Sequence, residues 1–438
     1  MSSGAHPTDS QGNPKRDVHA AIDAVWRMES PRLIAGLTRI THDIAAAEDL
    51  AHDALVAALE QWPREGVPSN PGAWLMAAAK HRAIDLVRRC SLLDRKHGEL
   101  GRELEEQQEK SVPDYVSALD DDIGDDLLGL IFTSCHPVLS TDAQLALTLR
   151  LIGGLTTPEI ARAFLVPEPA IAQRIVRAKR TLAEARVPFE VPRGAELSAR
   201  LANVLQVIYL IFNEGYSATA GDDWQRPALC EDALRLGRIL AELAPQEPEV
   251  HGLVALMEIQ ASRTRARVNA NGEPIVMLEQ DRSLWDRLLI HRGLAALARA
   301  EGLSGAVGDF GTYTLQAAIS ACHARALTAD ATDWPRIAAL YAALAHVAPS
   351  PIVELNRAVA VGLAESPAAG LAILDAVAAD PALKNYHLLP SVRADLLRKL
   401  GRLDEARAEF HRAAALTQNS RERTFLLSRA ASCAPESR

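Results

Sequence analysis

The sequence predicts an all-α protein. Alanine and leucine dominate, apolar residues recur at helical spacing almost throughout, and no run alternates β-branched or aromatic residues with polar ones. Proline and glycine fall mostly between these runs, as punctuation. At 438 residues the chain is long enough for two to four domains. It divides into a polar tail over 1–17, a helical module over 18–90, a linker over 91–126, a second small module over 127–187 and a long helical region over 188–438.

The tail MSSGAHPTDSQGNPKRD lacks an apolar signal core and reads as disordered. No stretch is apolar for about 18 residues, so no membrane span is expected. Five scattered cysteines show no CxxC or zinc-ligand spacing. They fit a reduced cytoplasmic setting, with no metal and no cofactor.

In the first module, AAAEDLAHDALVAALEQW (45–62) sets Leu55, Leu59 and Trp62 on one helical face and Asp49 and Asp53 together on another. The next helix, NPGAWLMAAAKHRAIDLVRRC (70–90), begins after Pro71 and Gly72. Trp74, His81 and Arg88 recur every seven residues on it, beside Lys80, Arg82 and Arg89. An aromatic with basic neighbours suits stacking on a splayed base while the backbone is held alongside. A tryptophan at a helix start equally suits a core.

The net charge is −9, which taken whole argues against nucleic acid because phosphate contacts need local positive charge. The distribution reverses that reading. The linker holds four bases against twelve acids, a balance of −8, whereas 156–186 holds six bases against three acids, a balance of +3.

The second module contains LALTLRLIGGLTTPEIARAFLVPEPAIAQRIVRAKRTL. Gly153-Gly154 ends one helix in the manner of a left-handed C-cap. Thr156 and Glu159 have capping-box spacing, with Pro158 tolerated in the first turn. Val166-Pro167 stops that short helix, and Pro169 opens a third whose Ile171 and Ile175 face inward. Gln173, Arg177 and Arg180 then share its outer face, with Arg174 and Lys179 nearby. Two short helices, a tight turn and a Gln/Arg-bearing helix form a helix-turn-helix, in which Gln and Arg read base edges and the further bases meet phosphates.

Taken together, these segments resemble the sigma-70 family, specifically the extracytoplasmic-function RNA polymerase sigma factors. The match in motif order and spacing covers about 18–187. The resemblance implies that Glu48, Asp49 and Asp53 contact the clamp helices of core RNA polymerase. It implies that Trp74, Lys80, His81, Arg82, Arg88 and Arg89 lie on the −10 promoter surface, and that Gln173, Arg174, Arg177 and Lys179 face the −35 element. Relatives commonly carry Asn at the position of His81. A neutral imidazole offers one donor and one acceptor where an amide pairs bidentately, so the base preferred there is open. In such factors the inter-domain segment threads polymerase channels, which makes the acidic linker either a phosphate mimic or a solubilising tether.

The region 188–438 carries weak repetition. Gly401, Ala406, Phe410 and Ala413 fit a tetratricopeptide pattern. Ala369, Ile373, Ala376 and Pro381 form a second such set, and Ala233, Gly237, Leu240 and Pro245 a third. RLANVLQVIYLIFNEGYSAT and NGEPIVMLEQDRSLWD resemble the long C-terminal extension of one subgroup of these factors. That implies a fused regulatory module, able to contact the front half of its own chain. Tyr209, Phe212, Asn213, Glu214, Tyr216 and Trp224 gather polar and aromatic groups in an aromatic-poor chain, as core packing or as a pocket. Cys135 and His136 are adjacent, so on a helix their side chains diverge by about 100° and make a poor nucleophile–base pair. No Gly-rich phosphate loop or nucleophile elbow appears, and no enzymatic activity is expected. Two other functions compete: a ligand-sensing regulator binding operator DNA without polymerase, and a helical-repeat scaffold contacting protein. The two-part module ahead of the helix-turn-helix speaks against the first, and the second predicts no promoter-specific transcription with core enzyme.

Overall fold

The computed structural model describes residues 14–98, 123–164, 166–218, 224–269, 272–305 and 310–433. Residues 1–13 of the tail proposed over 1–17 and residues 99–122 of the acidic linker lie outside them, whereas 14–17 of that tail are helical, at the start of the first helix. Among the described residues the fold is all-α, with no strand and an isolated bridge between Val268 and Pro274. No helix among the described residues is long and apolar enough to cross a membrane. The chain forms two compact units, whose boundary falls within one helix between Val207 and Ile208.

Unit 1 opens with α1 (Pro14–Thr41), α2 (Ile44–Glu65) and α3 (Pro71–Gly98), which pack on one another. Asp43 caps α2 by accepting from the Ala45 and Ala46 amides at 2.7 and 3.2 Å, and Asn70 caps α3 through the Ala73 amide at 3.1 Å. Such caps satisfy amides that the helix itself leaves unpaired. The buried stripe of α2 is made of Ala47, Ala51, Ala54 and Ala58, closed by Trp62. Leu59, grouped by spacing with Leu55 and Trp62, is 37% exposed instead. Small residues let α1 and α3 approach closely, which leaves the bulkier Leu59 at the rim.

α4 (Ile123–Ser134) packs on α1 and on α5 (Thr141–Leu151), and α5 packs on α7 (Glu168–Glu184). Between them lies α6 (Thr157–Phe164). The first half of α8 (Ala195–Tyr216) and the segment before it complete the unit. Phe189 lies 3.5 Å from where a Cβ on Gly129 would stand, and Arg200 donates to the Phe132 carbonyl at 2.8 Å. Asn203 donates to the Cys135 carbonyl.

Unit 2 continues with α9 (Pro227–Leu243), α10 (Pro248–Ala261), α11 (Arg287–Ser304), α12 (Thr312–Arg325), α13 (Trp334–Val347), α14 (Pro351–Ala364), α15 (Pro367–Val377), α16 (Leu388–Lys399), α17 (Leu403–Leu416) and α18 (Ser420–Ala431). Sequential helices pair as they do in a tetratricopeptide array. α10 is buried on nearly every side, as its uniformly apolar sequence requires. Two of the three repeat-like sets sit as the spacing suggests. Ala406, Phe410 and Ala413 are buried behind a turn at Gly401 (φ +76°), and Ala233, Gly237 and Leu240 form the buried stripe of α9. The third is one residue out of register: Gly370, Leu371 and Leu374 face inward, while Ala376 is exposed and Ala369 and Ile373 are half-buried. Gly370 wins the inner position because a Cβ there would stand 2.5 Å from the Ala358 carbonyl oxygen.

α10 packs on α12 at Gly252, where a Cβ would lie 2.7 Å from the Thr314 backbone nitrogen. Backbone cannot swing aside as a side chain can. Gly252→Ala is therefore expected to cost about 1–3 kcal/mol through overpacking. Urea unfolding of the full chain measures it, as a lower midpoint with an unchanged slope.

Candidate polymerase and nucleic-acid interfaces

The helix-turn-helix is built by local chemistry. Gly154 takes φ +68° after α5, which lets the chain turn away. The Thr156 amide donates to the Glu159 carboxylate at 2.7 Å, and the Glu159 amide donates back to the Thr156 hydroxyl at 3.4 Å, closing the capping box. Pro167 precedes α7, whose buried face is Ile171, Ile175, Ala178 and Leu182.

That packing aims the opposite face of α7 outward. Gln173, Arg177 and Arg180 are exposed, and Val176, missed by the sequence reading, is 65% exposed among them. Its signal was available: Gln173, Val176, Arg177 and Arg180 follow i, i+3, i+4, i+7 opposite the isoleucines. Arg180 pairs with Glu184 at 2.6 Å on the surface. Arg174 is half-buried and reaches Asp142 on α5 at 3.2 Å, so it ties α7 to its neighbour. Lys179 is also half-buried, and its ammonium pairs with Glu48.

Glu48 is the hub of unit 1. It is 5% exposed, takes Lys179 on one carboxylate oxygen, and accepts from Arg150 Nε at 2.7 Å on the other. Burial pushes its carboxyl up, but the Lys179 and Arg150 cations outweigh burial and hold it below its ordinary value. Arg150 also donates to the Leu155 carbonyl at 3.3 Å and lies 3.1 Å from His52 Nε2. His52 Nδ1 is 2.8 Å from the Glu48 carbonyl, which assigns the proton to Nδ1 and leaves Nε2 to accept. A second tie, Arg39 to Asp126 at 3.4 Å, joins α1 to α4.

The other first-module candidates lie apart from this cluster. Asp49 and Asp53 are exposed on α2, and Arg82 reaches Asp53 at 3.0 Å across the surface. On α3, His81 and Arg88 are exposed and Lys80 is half-buried, while the Arg89 side chain lies outside the described residues. Trp74 is half-buried and meets the buried Trp62 edge-on, with ring centroids 5.3 Å apart. One indole thus anchors the other at the head of α3.

Cys135 is fully buried beside the Thr148 hydroxyl at 3.3 Å, and burial pushes its thiol up to about 12. It stays protonated near neutrality and is not a thiolate nucleophile. The Tyr209–Trp224 region of unit 2 is core packing in part. Phe212 is fully buried and stacks on Tyr216 at 5.6 Å, Tyr209 meets Tyr313 edge-on at 5.5 Å, and Glu214 pairs with Arg226.

Comparison with known proteins places names on these regions. Residues 25–91 match Sigma-70 region 2, residues 130–182 match Sigma-70, region 4, and residues 200–301 match a family of unknown function (DUF6596). An uncharacterized protein of Rhizobium meliloti (strain 1021) is 41% identical over 406 residues, covering 92% of this chain and 94% of that protein. With both sigma regions in order, each on the helices just described, the chain belongs to the sigma-70 family, as an extracytoplasmic-function-like sigma factor with a C-terminal extension.

Proposed function

We propose that the chain directs core RNA polymerase to promoters carrying specific −10 and −35 elements and helps open them, without covalent chemistry of its own. The observation that carries this reading is the exposed Gln173/Val176/Arg177/Arg180 face of a capped helix-turn-helix, in the same compact unit as the Trp74 helix. In this reading α7 enters the major groove. Gln173 and Arg177 pair with base edges, Val176 meets a thymine methyl group, and Arg180 meets phosphate. Trp74, Lys80, His81, Arg82, Arg88 and Arg89 form the −10 surface, where melting frees bases for stacking. Asp49 and Asp53 make the first contact with the polymerase clamp because they are exposed. Glu48 contributes only after its cluster with Arg150 and Lys179 parts. The segment after Val207, shorter than the 188–438 expected from sequence, acts as a fused control module on the sigma modules.

Transcription from purified chain and core polymerase tests the reading. Promoter-specific transcripts are expected. Operator-like DNA binding without transcripts, or neither, would overturn it. A shortened chain must respect the unit boundary. Ending at Val207 keeps Phe189, Arg200 and Asn203 on α4, whereas ending at Arg186 strips them. The shorter version is expected to melt several degrees lower by differential scanning fluorimetry, and comparison of transcript yield belongs to the longer one.

A further inference from the structure

Three arginines of unit 2 are more than nine-tenths buried and share one neighbourhood: Arg263 and Arg267 after α10, and Arg282 before α11. None of the three is ion-paired to a carboxylate among the described residues. Their partners are neutral. Arg263 donates to the Tyr216 hydroxyl at 2.6 Å, and Arg267 donates to the Tyr216 carbonyl. Arg282 donates to the His323 and Ala326 carbonyls, each at 2.7 Å, and to the Thr332 hydroxyl at 3.1 Å. Aromatic faces supply the rest. The Arg267 guanidinium carbon stands 3.5 Å from the Tyr216 ring centroid and 5.8 Å from that of Trp224, and Arg282 stands 4.8 Å from that of Trp285.

Charged groups elsewhere in this unit are paired: half-buried Arg226 has Glu214, half-buried Arg429 has Asp395, and the buried Glu258 carboxylate has Arg238 at 2.9 Å. Burying a cation without a counter-charge is costly, and cation–π contacts offset only part of it. The three also repel. After burial itself, Arg263 is a cause that lowers both Arg267 and Arg282 from their ordinary value, and burial with Arg263 and Arg282 pushes His323 down to about 3. Donors remain unused: Arg263 Nε and Trp285 Nε1 are buried without a partner. An open hollow of about 460 Å³ reaches the cluster at Arg282, lined also by Gln280, Ser283, Arg287, Thr328 and Asp281, whose carboxylate is taken up by the Ser283 amide at 2.9 Å.

We propose that Arg263, Arg267 and Arg282 form a binding site for a small molecule bearing a phosphate or carboxylate group, which enters through the hollow beside Arg282. Guanidinium forks suit both oxyanions bidentately, and an anion there supplies the charge that the fold leaves out. All three residues, with Tyr216, Trp224 and Trp285, fall within the 200–301 stretch that matches a family of unknown function, so the site lies outside both sigma regions. Bound anion would stiffen the junction of α8, α10 and the segment before α11.

The test uses the full chain and two probes, inorganic phosphate and citrate, at fixed ionic strength with chloride as control. Saturable binding by calorimetry is expected for at least one probe. Melting temperature should rise by about 5–10 °C at about 100 times its Kd. Arg263→Met removes an uncompensated cation while keeping bulk. It is expected to melt no lower than the parent without anion and to lose the anion-dependent rise. Arg267→Lys keeps the charge but loses the fork, and should weaken binding at least tenfold. Neither probe binding, or a rise that survives in Arg263→Met, overturns the proposal. So does a site filled from within: Asp222 and Asp223 precede Trp224 in sequence. Binding seen only after Asp222→Asn and Asp223→Asn together would show that the chain supplies its own anion.

Discussion

Glu48→Gln is expected to destabilise unit 1 by about 3 kcal/mol and to lower its melting temperature by roughly 6–12 °C. The figure sits at the low end for removing one partner of a buried ion pair, because the Lys179 and Arg150 side chains retain 17% and 21% exposure. Glutamine keeps the shape and loses the charge, leaving two half-buried cations facing each other. The sign with pH follows from the lowered carboxyl. Its contribution is complete above the ordinary value of 4.5 and is lost as pH falls through the lower folded value. Acid melting curves of the parent should therefore fall steeply below about pH 4.5, and those of Glu48→Gln less so over the same interval. Adding Lys179→Met to Glu48→Gln should restore part of the loss, and the double-mutant cycle isolates the pair. Glu48→Gln should also free Lys179 for phosphate, steepening the salt dependence of −35 duplex binding by about 0.9 in log–log slope.

This cluster marks where sequence reasoning met its limit. Glu48 and Lys179 are separated by 131 positions, and motif order assigned them to different macromolecular partners. Nothing in either helix announces that one neutralises the other. The helix-turn-helix, by contrast, was legible almost to the residue. Its signals are local: a capping box at Thr156 and Glu159, a glycine able to turn after α5, and prolines that stop one helix and start the next. Local propensity also explains the all-α fold. In α2, spacing groups Leu59 with Leu55 and Trp62 but does not say which face turns inward; the alanine stripe decides that and leaves Leu59 exposed. Register in α15 slipped by one for the same reason, since a close helix crossing selects glycine over any larger residue. The arginine cluster was invisible in sequence. Arg263, Arg265 and Arg267 alternate through a short stretch that reads as solvated charge. Only the fold shows Arg265 exposed while its two neighbours turn in to Tyr216.

Arg177→Ala is expected to lower promoter-specific initiation about 5–150-fold while changing stability by no more than about 0.5 kcal/mol. The first figure is the worth of a good bidentate base contact, and the second follows from an exposed side chain on the face opposite Ile171 and Ile175. Gln173→Ala should behave alike at a neighbouring base pair. Val176→Ala should selectively weaken promoters with thymine at the facing position, because only the methyl contact is lost. Lys179→Met separates geometry from composition, since this lysine carries the same charge as Arg177 on the same helix. It should lower the melting temperature, because Glu48 is left buried with Arg150 alone. Its effect on DNA should be small, with salt slope and base preference both unaltered, because Glu48 holds this lysine in the parent. Transcription across a panel of −35 variants, run beside melting curves for each protein, reads both quantities. Should Lys179→Met change base preference and Arg177→Ala leave it intact, the outward face of α7 would not be the reading face. Burial by the Ile171 side, together with the pull of Glu48 on Lys179, leaves Gln173, Val176 and Arg177 as the side chains free to reach base edges.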